Sequence, residues 1–148
     1  MNVAGLTKQY LLEESVMQIA TVRDGKPWIC TVYYVTDDQF NLYWLSLPTR
    51  RHSQDIAQDG HIAVAVAVKF DQPIIGLQAE GRAELVTDHE IIKSVMHTYV
   101  RKHGKGQEFY DNIVTGTNKH ALYRFTPNKY VLFDEVNLPG GIGHEVVL

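Results

Sequence analysis

The sequence predicts a mainly β fold with flanking helices: an α+β domain built on six or seven antiparallel strands that curl into a closed or partly closed barrel. Three observations predict it. An Asp-Gly turn at Asp24-Gly25 joins two β-branched runs, VMQIATVR and KPWICTVYYV, and a third run, QFNLYWLS, follows the Asp37-Asp38 turn closely. Asp-Gly is a strong hairpin signal because both central residues of that turn need positive φ. The run HIAVAVAVKF alternates without a polar face, with Ile62, Val64, Val66 and Val68 on one side and Ala63, Ala65 and Ala67 on the other, which predicts a strand covered on both sides.

The remaining elements follow in order. Leu6, Tyr10 and Leu11 make a helical stripe over residues 4–15. Pro27 opens the second strand, where a missing N–H does least harm. Thr49 is the expected N-cap of a short helix, RRHSQDIAQ, that ends at Gly60. IIGLQAEGRAELV is the fifth strand, and its two glycines mark bulges or close approaches. Thr87-x-x-Glu90 is a capping-box pattern opening HEIIKSVMHTYVRKH. A polar connection over 107–118 leads to two last strands, ALYRF and KYVLFDEV, separated by Thr126-Pro127-Asn128, and a Gly-rich arm over 137–148. The chain reads as one domain over 1–148, with its core over 10–136.

Composition narrows the function. The chain has 148 residues, 45% of them hydrophobic, and a formal net charge of -3. No basic block exceeds Arg50-Arg51, which argues against nucleic-acid binding. No apolar run is long enough for a membrane helix and no signal-peptide pattern opens the chain, so a cytoplasmic location is expected. The single cysteine, Cys30, reads as a small core hydrophobe. The seven histidines show no metal-binding spacing, and no catalytic carboxylate pair stands out.

The sharpest chemical feature is LSLPTRRHSQDI, where a strand end, a helix start, Arg50, Arg51 and His52 coincide. Such a turn binds phosphate through helix N–H groups and arginine forks. It is equally a solvated surface turn held by an Arg51–Asp55 pair at i,i+4. Gln78 shares a face with Gly76 in an otherwise apolar strand, an arrangement that admits a flat ring and hydrogen-bonds its edge, or simply faces solvent.

Taken in order, ATVRDGKPWICTVYYVTDDQFNLYWLS, TRRHSQDI, HIAVAV, GLQAEGRAE and ALYRFTPNKYVLFDEV resemble the pyridoxamine 5'-phosphate oxidase-like family over about residues 10–136. The resemblance implies a split β-barrel that forms a homodimer with FMN at the subunit interface and acts on a small-molecule substrate. It implies phosphate contacts at Arg51 and His52 with Arg50 adjacent, main-chain flavin contacts at Cys30, Thr31 and Val32, further contacts at Leu45 and Ser46, and Gln78 as the amide facing the cofactor. The function it implies is an FMN-dependent oxidoreductase. The family also includes deazaflavin-dependent reductases and haem-handling or non-catalytic flavin-binding members. For haem, His144 is the one candidate axial ligand. The sequence departs from the true oxidase: Phe133 stands about where that enzyme has a Trp, and no Arg-Leu motif follows, so vitamin-phosphate turnover is not expected.

Overall fold

The computed structural model describes residues 2–148. Helix α1 (Val3–Glu13) is capped by Asn2, whose side chain accepts from the Gly5 N–H. Strands β1 (Val16–Arg23) and β2 (Lys26–Tyr33) pair in full register about the Asp24-Gly25 turn, where φ is 51° and 75°. A second tight turn connects β3 (Val35–Thr36) to β4 (Leu42–Ser46), held by Asp37, whose carboxylate accepts the N–H groups of Gln39 and Asn41. Helix α2 (Arg51–Gln58) follows, then β5 (His61–Lys69), β6 (Ile75–Leu85), α3 (His89–Lys102), α4 (Gln107–Thr115), β7 (Ala121–Asp134) and β8 (His144–Val146).

Among the described residues the eight strands form one antiparallel sheet in the order β2-β1-β5-β6-β7-β4-β3, with β8 paired to β7. The long strand β7 shares one edge between two partners: its first half pairs with β4 and its second half with β8. The sheet curls until its two ends approach. Strands β2 and β4 come close without pairing, which makes the barrel split rather than closed.

Two apolar clusters hold this shape. Met17, Ile19, Val64, Val66, Leu77, Trp44, Phe125 and Tyr130 fill the barrel interior, with α1 across one mouth through Leu6, Tyr10 and Leu11. Val95, Met96, Tyr99 and Ile113 pack α3 and α4 against Val35, Tyr43 and Leu122 on the outside.

Several expectations need correction. Arg50, not Thr49, is the N-cap of α2, and no side chain caps that helix. Asp88 displaces Thr87 as the cap of α3, because its carboxylate accepts from both Glu90 and Ile91. Most of the supposed connection 107–118 is α4, closed by Gly116 in the left-handed conformation (φ 79°). The two closing strands are one strand. Its pairing with β6 skips Asn128 at a bulge where Gly81 faces Pro127, so proline's missing N–H falls where the ladder is already broken. The Gly-rich arm returns as β8, fixed by a 2.6 Å Lys129–Glu145 ion pair.

One further expectation holds on only one side of β5. Val64 and Val66 are buried, but Ala63 and Ala67 are exposed and Ala65 is half-buried in the single chain. Cross-strand rows continue that bare face: Ile29–Ala20–Ala63–Glu80–Lys129 and Thr31–Gln18–Ala65–Gln78–Val131. Two shallow grooves of about 360 and 450 Å³ run along it, sharing Gln18, Ala65 and Gln78.

Candidate functional site

The split sets two unpaired strand edges opposite each other. β2 pairs only with β1, and β3 covers only Leu42 and Tyr43 of β4. The outer edges of Thr31–Tyr33 and of Leu45–Ser46, away from their ladders with β1 and β7, therefore border a seam. At its end lies a depression of about 230 Å³ lined by Thr31, Val32, Tyr33, Leu45, Ser46, Leu47, Arg50, His52, Tyr99 and His120. Six of the nine residues singled out in the sequence thus meet in one hollow.

Local structure gives it groups suited to an anion. As in the first turn of any helix, the N–H groups of Arg51, His52 and Ser53 have no intrahelical acceptor, and no side chain caps α2. The buried His52 ring lies 2.7 Å from the Ser46 hydroxyl through Nε2. Burial first, and then the Arg50 charge, pushes His52 below its ordinary pKa. No carboxylate lines the depression; its charged or chargeable nitrogen groups are Arg50, His52 and His120. A bound phosphate would reverse the repulsion that Arg50 exerts on His52. The residues present fit a phosphate-bearing cofactor.

One wall is aromatic. His103 sits between Tyr33 and Tyr99, at centroid distances of 5.2 and 4.6 Å, and its Nε2–H donates to the Tyr34 carbonyl at 2.9 Å. Burial lowers the His103 pKa, opposed by the Tyr34 hydrogen bond and assisted by Lys102 and Lys105.

The other three singled-out residues lie elsewhere. Cys30 is half-buried against the core beside Ile19, and burial pushes its thiol up to about 11. Arg51 turns away from the hollow. Its guanidinium stacks 4.5 Å from the Trp28 ring centroid, and its Nε lies 3.6 Å from Asp55. Gln78 stands on the bare outer face, between Ala65 and Val131. His144 opens β8 opposite Leu132 and lines neither the depression nor the grooves. His120 was missed because it is an isolated histidine in a polar stretch; the β4–β7 register Ser46↔Ala121 brings it to the site.

Asp55 fixes the platform that carries Arg50 and His52. It is fully buried, accepts from the Thr21 hydroxyl at 2.7 Å and pairs with Arg23 at 2.7 Å, tying α2 to β1. Burial alone would raise its pKa, but Thr21, Arg23 and Arg51 outweigh burial and hold the carboxyl below the usual carboxylate range. A depressed carboxylate stabilises the fold above its unfolded value of 3.8, and that stability is lost as pH falls through the folded value. Asp55→Asn is therefore expected to lower the urea midpoint at pH 7 and to narrow its gap to the native chain below pH 3.8. A pH-independent gap would contradict this linkage.

Among the described residues no helix is long and apolar enough to cross a membrane, and no group of three His, Cys, Asp or Glu side chains is placed to hold a metal ion.

Comparison with known proteins agrees with this architecture. A search of curated proteins returns no match to the sequence. Among solved structures, the conserved hypothetical protein Rv2991 of Mycobacterium tuberculosis superposes with a TM-score of 0.76 at 18% identity, over 95% of this chain and 90% of that one. The heme storage protein HutZ of Vibrio cholerae gives 0.70 at 18% identity, over 86% and 92%. A FAD-binding protein of Mesorhizobium loti gives 0.63 at 20% identity, over 88% and 92%. At these identities the likeness is one of fold. The family model for pyridoxamine 5'-phosphate oxidase matches residues 6–132. With that match spanning most of its length, and a curled antiparallel sheet that leaves a seam between β2 and β4, the chain belongs to the pyridoxamine 5'-phosphate oxidase-like split-barrel family.

Proposed function

We propose that this chain is an FMN-dependent oxidoreductase acting on a small molecule, with the flavin phosphate held by Arg50, His52, Ser46 and the free N–H groups of α2. The observation that carries this reading is the carboxylate-free hollow where those groups meet at the end of the seam. Main chain of Thr31, Val32 and Leu45 is available to the ring. When bound, the isoalloxazine supplies the electron transfer. The protein's part is placement of the ring.

A homodimer is part of the proposal. At about 230 Å³ the hollow falls short of the roughly 300–1,000 Å³ of complete small-molecule sites, as half of a shared site would. The bare Ala face offers small side chains for close approach by a second copy, and Gln78 meets a cofactor only across such an interface. Ala65→Arg is expected to give a monomer by light scattering at micromolar concentration, while the native chain is a dimer. A native monomer would contradict the assignment.

The cofactor test separates the two arginines. Arg50→Ala is expected to weaken FMN binding by roughly 1.5–3 kcal/mol, the range for hydrogen bonds to a charged group. Arg51→Ala is expected to leave FMN affinity within about twofold, because its guanidinium lies over Trp28 and beside Asp55, outside the hollow. A native sample that is colourless, and gains neither flavin absorbance nor thermal stability with FMN, would overturn the flavin reading. Anaerobic reduction by a nicotinamide donor distinguishes an oxidoreductase from a flavin carrier.

A further inference from the structure

His120 is the one nitrogen-bearing group of the hollow that lies outside the Arg50–His52 turn. It stands just before β7, and the register that pairs Ala121 with Ser46 sets it beside the end of β4. Its ring is oriented by Asn118. Oδ1 of Asn118 accepts the backbone N–H of His120 at 2.9 Å and lies 2.9 Å from its Nδ1. A backbone N–H only donates, so that amide atom is the oxygen. An amide oxygen only accepts, so Nδ1 carries a proton. Nε2, the opposite corner of the ring, has no partner among the described residues.

Three nitrogen groups, Arg50, His52 and His120, therefore border a hollow of about 230 Å³ in which no carboxylate offsets them. A phosphate monoester matches this set. It carries roughly -1.5 to -2 charges at pH 7 and three strong acceptor oxygens. A neutral ribityl hydroxyl offers neither the charge nor the count.

Resting on the flavin reading above, we propose that His120 is a third phosphate ligand, that its ring takes a second proton as the phosphate binds and donates to it through Nε2–H, and that through this contact the chain discriminates FMN from riboflavin. The Asn118 hydrogen bond presets the ring, so little ordering remains to be done when the phosphate arrives.

The test compares FMN and riboflavin binding by fluorescence quenching in the native chain, His120→Gln, His120→Arg and Lys119→Gln. It is joined to histidine-ring NMR during FMN titration. Lys119 is the control, an exposed neighbour whose Nζ bonds the Gly116 carbonyl and does not line the hollow. Expected are a roughly tenfold loss of FMN affinity in His120→Gln, as for one hydrogen bond to a charged group, unchanged riboflavin affinity, retention in His120→Arg, and no effect of Lys119→Gln. The His120 resonance should move with the FMN occupancy. FMN binding as tight in His120→Gln as in the native chain, or equal loss for both flavins, overturns the proposal. If the native chain binds neither flavin, the cofactor reading fails, and inorganic phosphate becomes the probe. A His120 shift in the native chain, together with a His52 shift that weakens in His120→Gln, then upholds a phosphate site, and no shift overturns it.

Discussion

Gly81→Ala is expected to leave no cooperatively folded protein, or to cost more than about 4 kcal/mol in urea denaturation, a loss that few single substitutions reach. A Cβ at position 81 would lie 2.1 Å from the carbonyl oxygen of Thr126, 2.9 Å from Cα of Pro127 and 2.9 Å from Cε1 of Phe125. Two of those atoms are backbone in the neighbouring strand, so no rotamer change relieves the contact. The crowding arises at the bulge, where β7 bows toward β6 as the register steps past Asn128. Gly76→Ala, five residues earlier on the same strand, is the control. There the nearest atom is Cζ of Phe70, at 3.3 Å, on an exposed ring that is able to swing aside. A cost within about 1 kcal/mol is expected for it. Equal urea midpoints for the two variants would refute this account of the bulge.

Asp134→Ala is expected to cost about 3–5 kcal/mol, read as a fall in urea midpoint at unchanged slope. Asp134 is buried at the end of β7 and accepts four hydrogen bonds: from the Tyr10 hydroxyl at 2.6 Å, from Asn137 Nδ2 at 2.9 Å, and from the N–H groups of Val136 and Asn137 at 3.0 and 2.9 Å. Burial alone would raise its pKa, but these donors hold the carboxyl below its ordinary value. Tyr10 responds in the opposite sense, pushed up to about 12 by burial and then by the same carboxylate. Alanine at 134 would leave the Tyr10 hydroxyl without its charged partner and free the turn that leads into the last strand. Tyr10→Phe keeps the ring and removes only one donor, so about 1.5–3 kcal/mol is expected. A larger loss from Tyr10→Phe than from Asp134→Ala would invert the hierarchy argued here.

The barrel was legible where local chemistry speaks alone. Asp24-Gly25 demands its turn, and the Val/Ala alternation of β5 demands a strand. The elements misread were those settled by tertiary neighbours. Pro127 looks like a break until Gly81 supplies a bulge opposite it. Residues 107–115 carry Asp, Asn and Thr and start at an uncapped Gly106, so their local signal is weak. Phe109, Tyr110 and Ile113 make the helix by packing beside α3. The site was half legible. Sequence order located the basic turn, but the choice between Arg50 and Arg51 depends on Trp28, twenty-odd positions away and joined only through the fold. His120 depends on strand register, which no short motif records.

Strand β2 belongs to three regions at once. Its free edge borders the seam, Cys30 and Val32 pack on the interior, and Ile29 and Thr31 belong to the bare outer rows. A ligand that repositions this edge also repositions the face beside it. If two chains associate at that face, as proposed, binding in the seam and association at the face are thermodynamically coupled, and the coupling is reciprocal. Whatever factor occupancy adds to the affinity between two chains, their association returns to the affinity for the occupant.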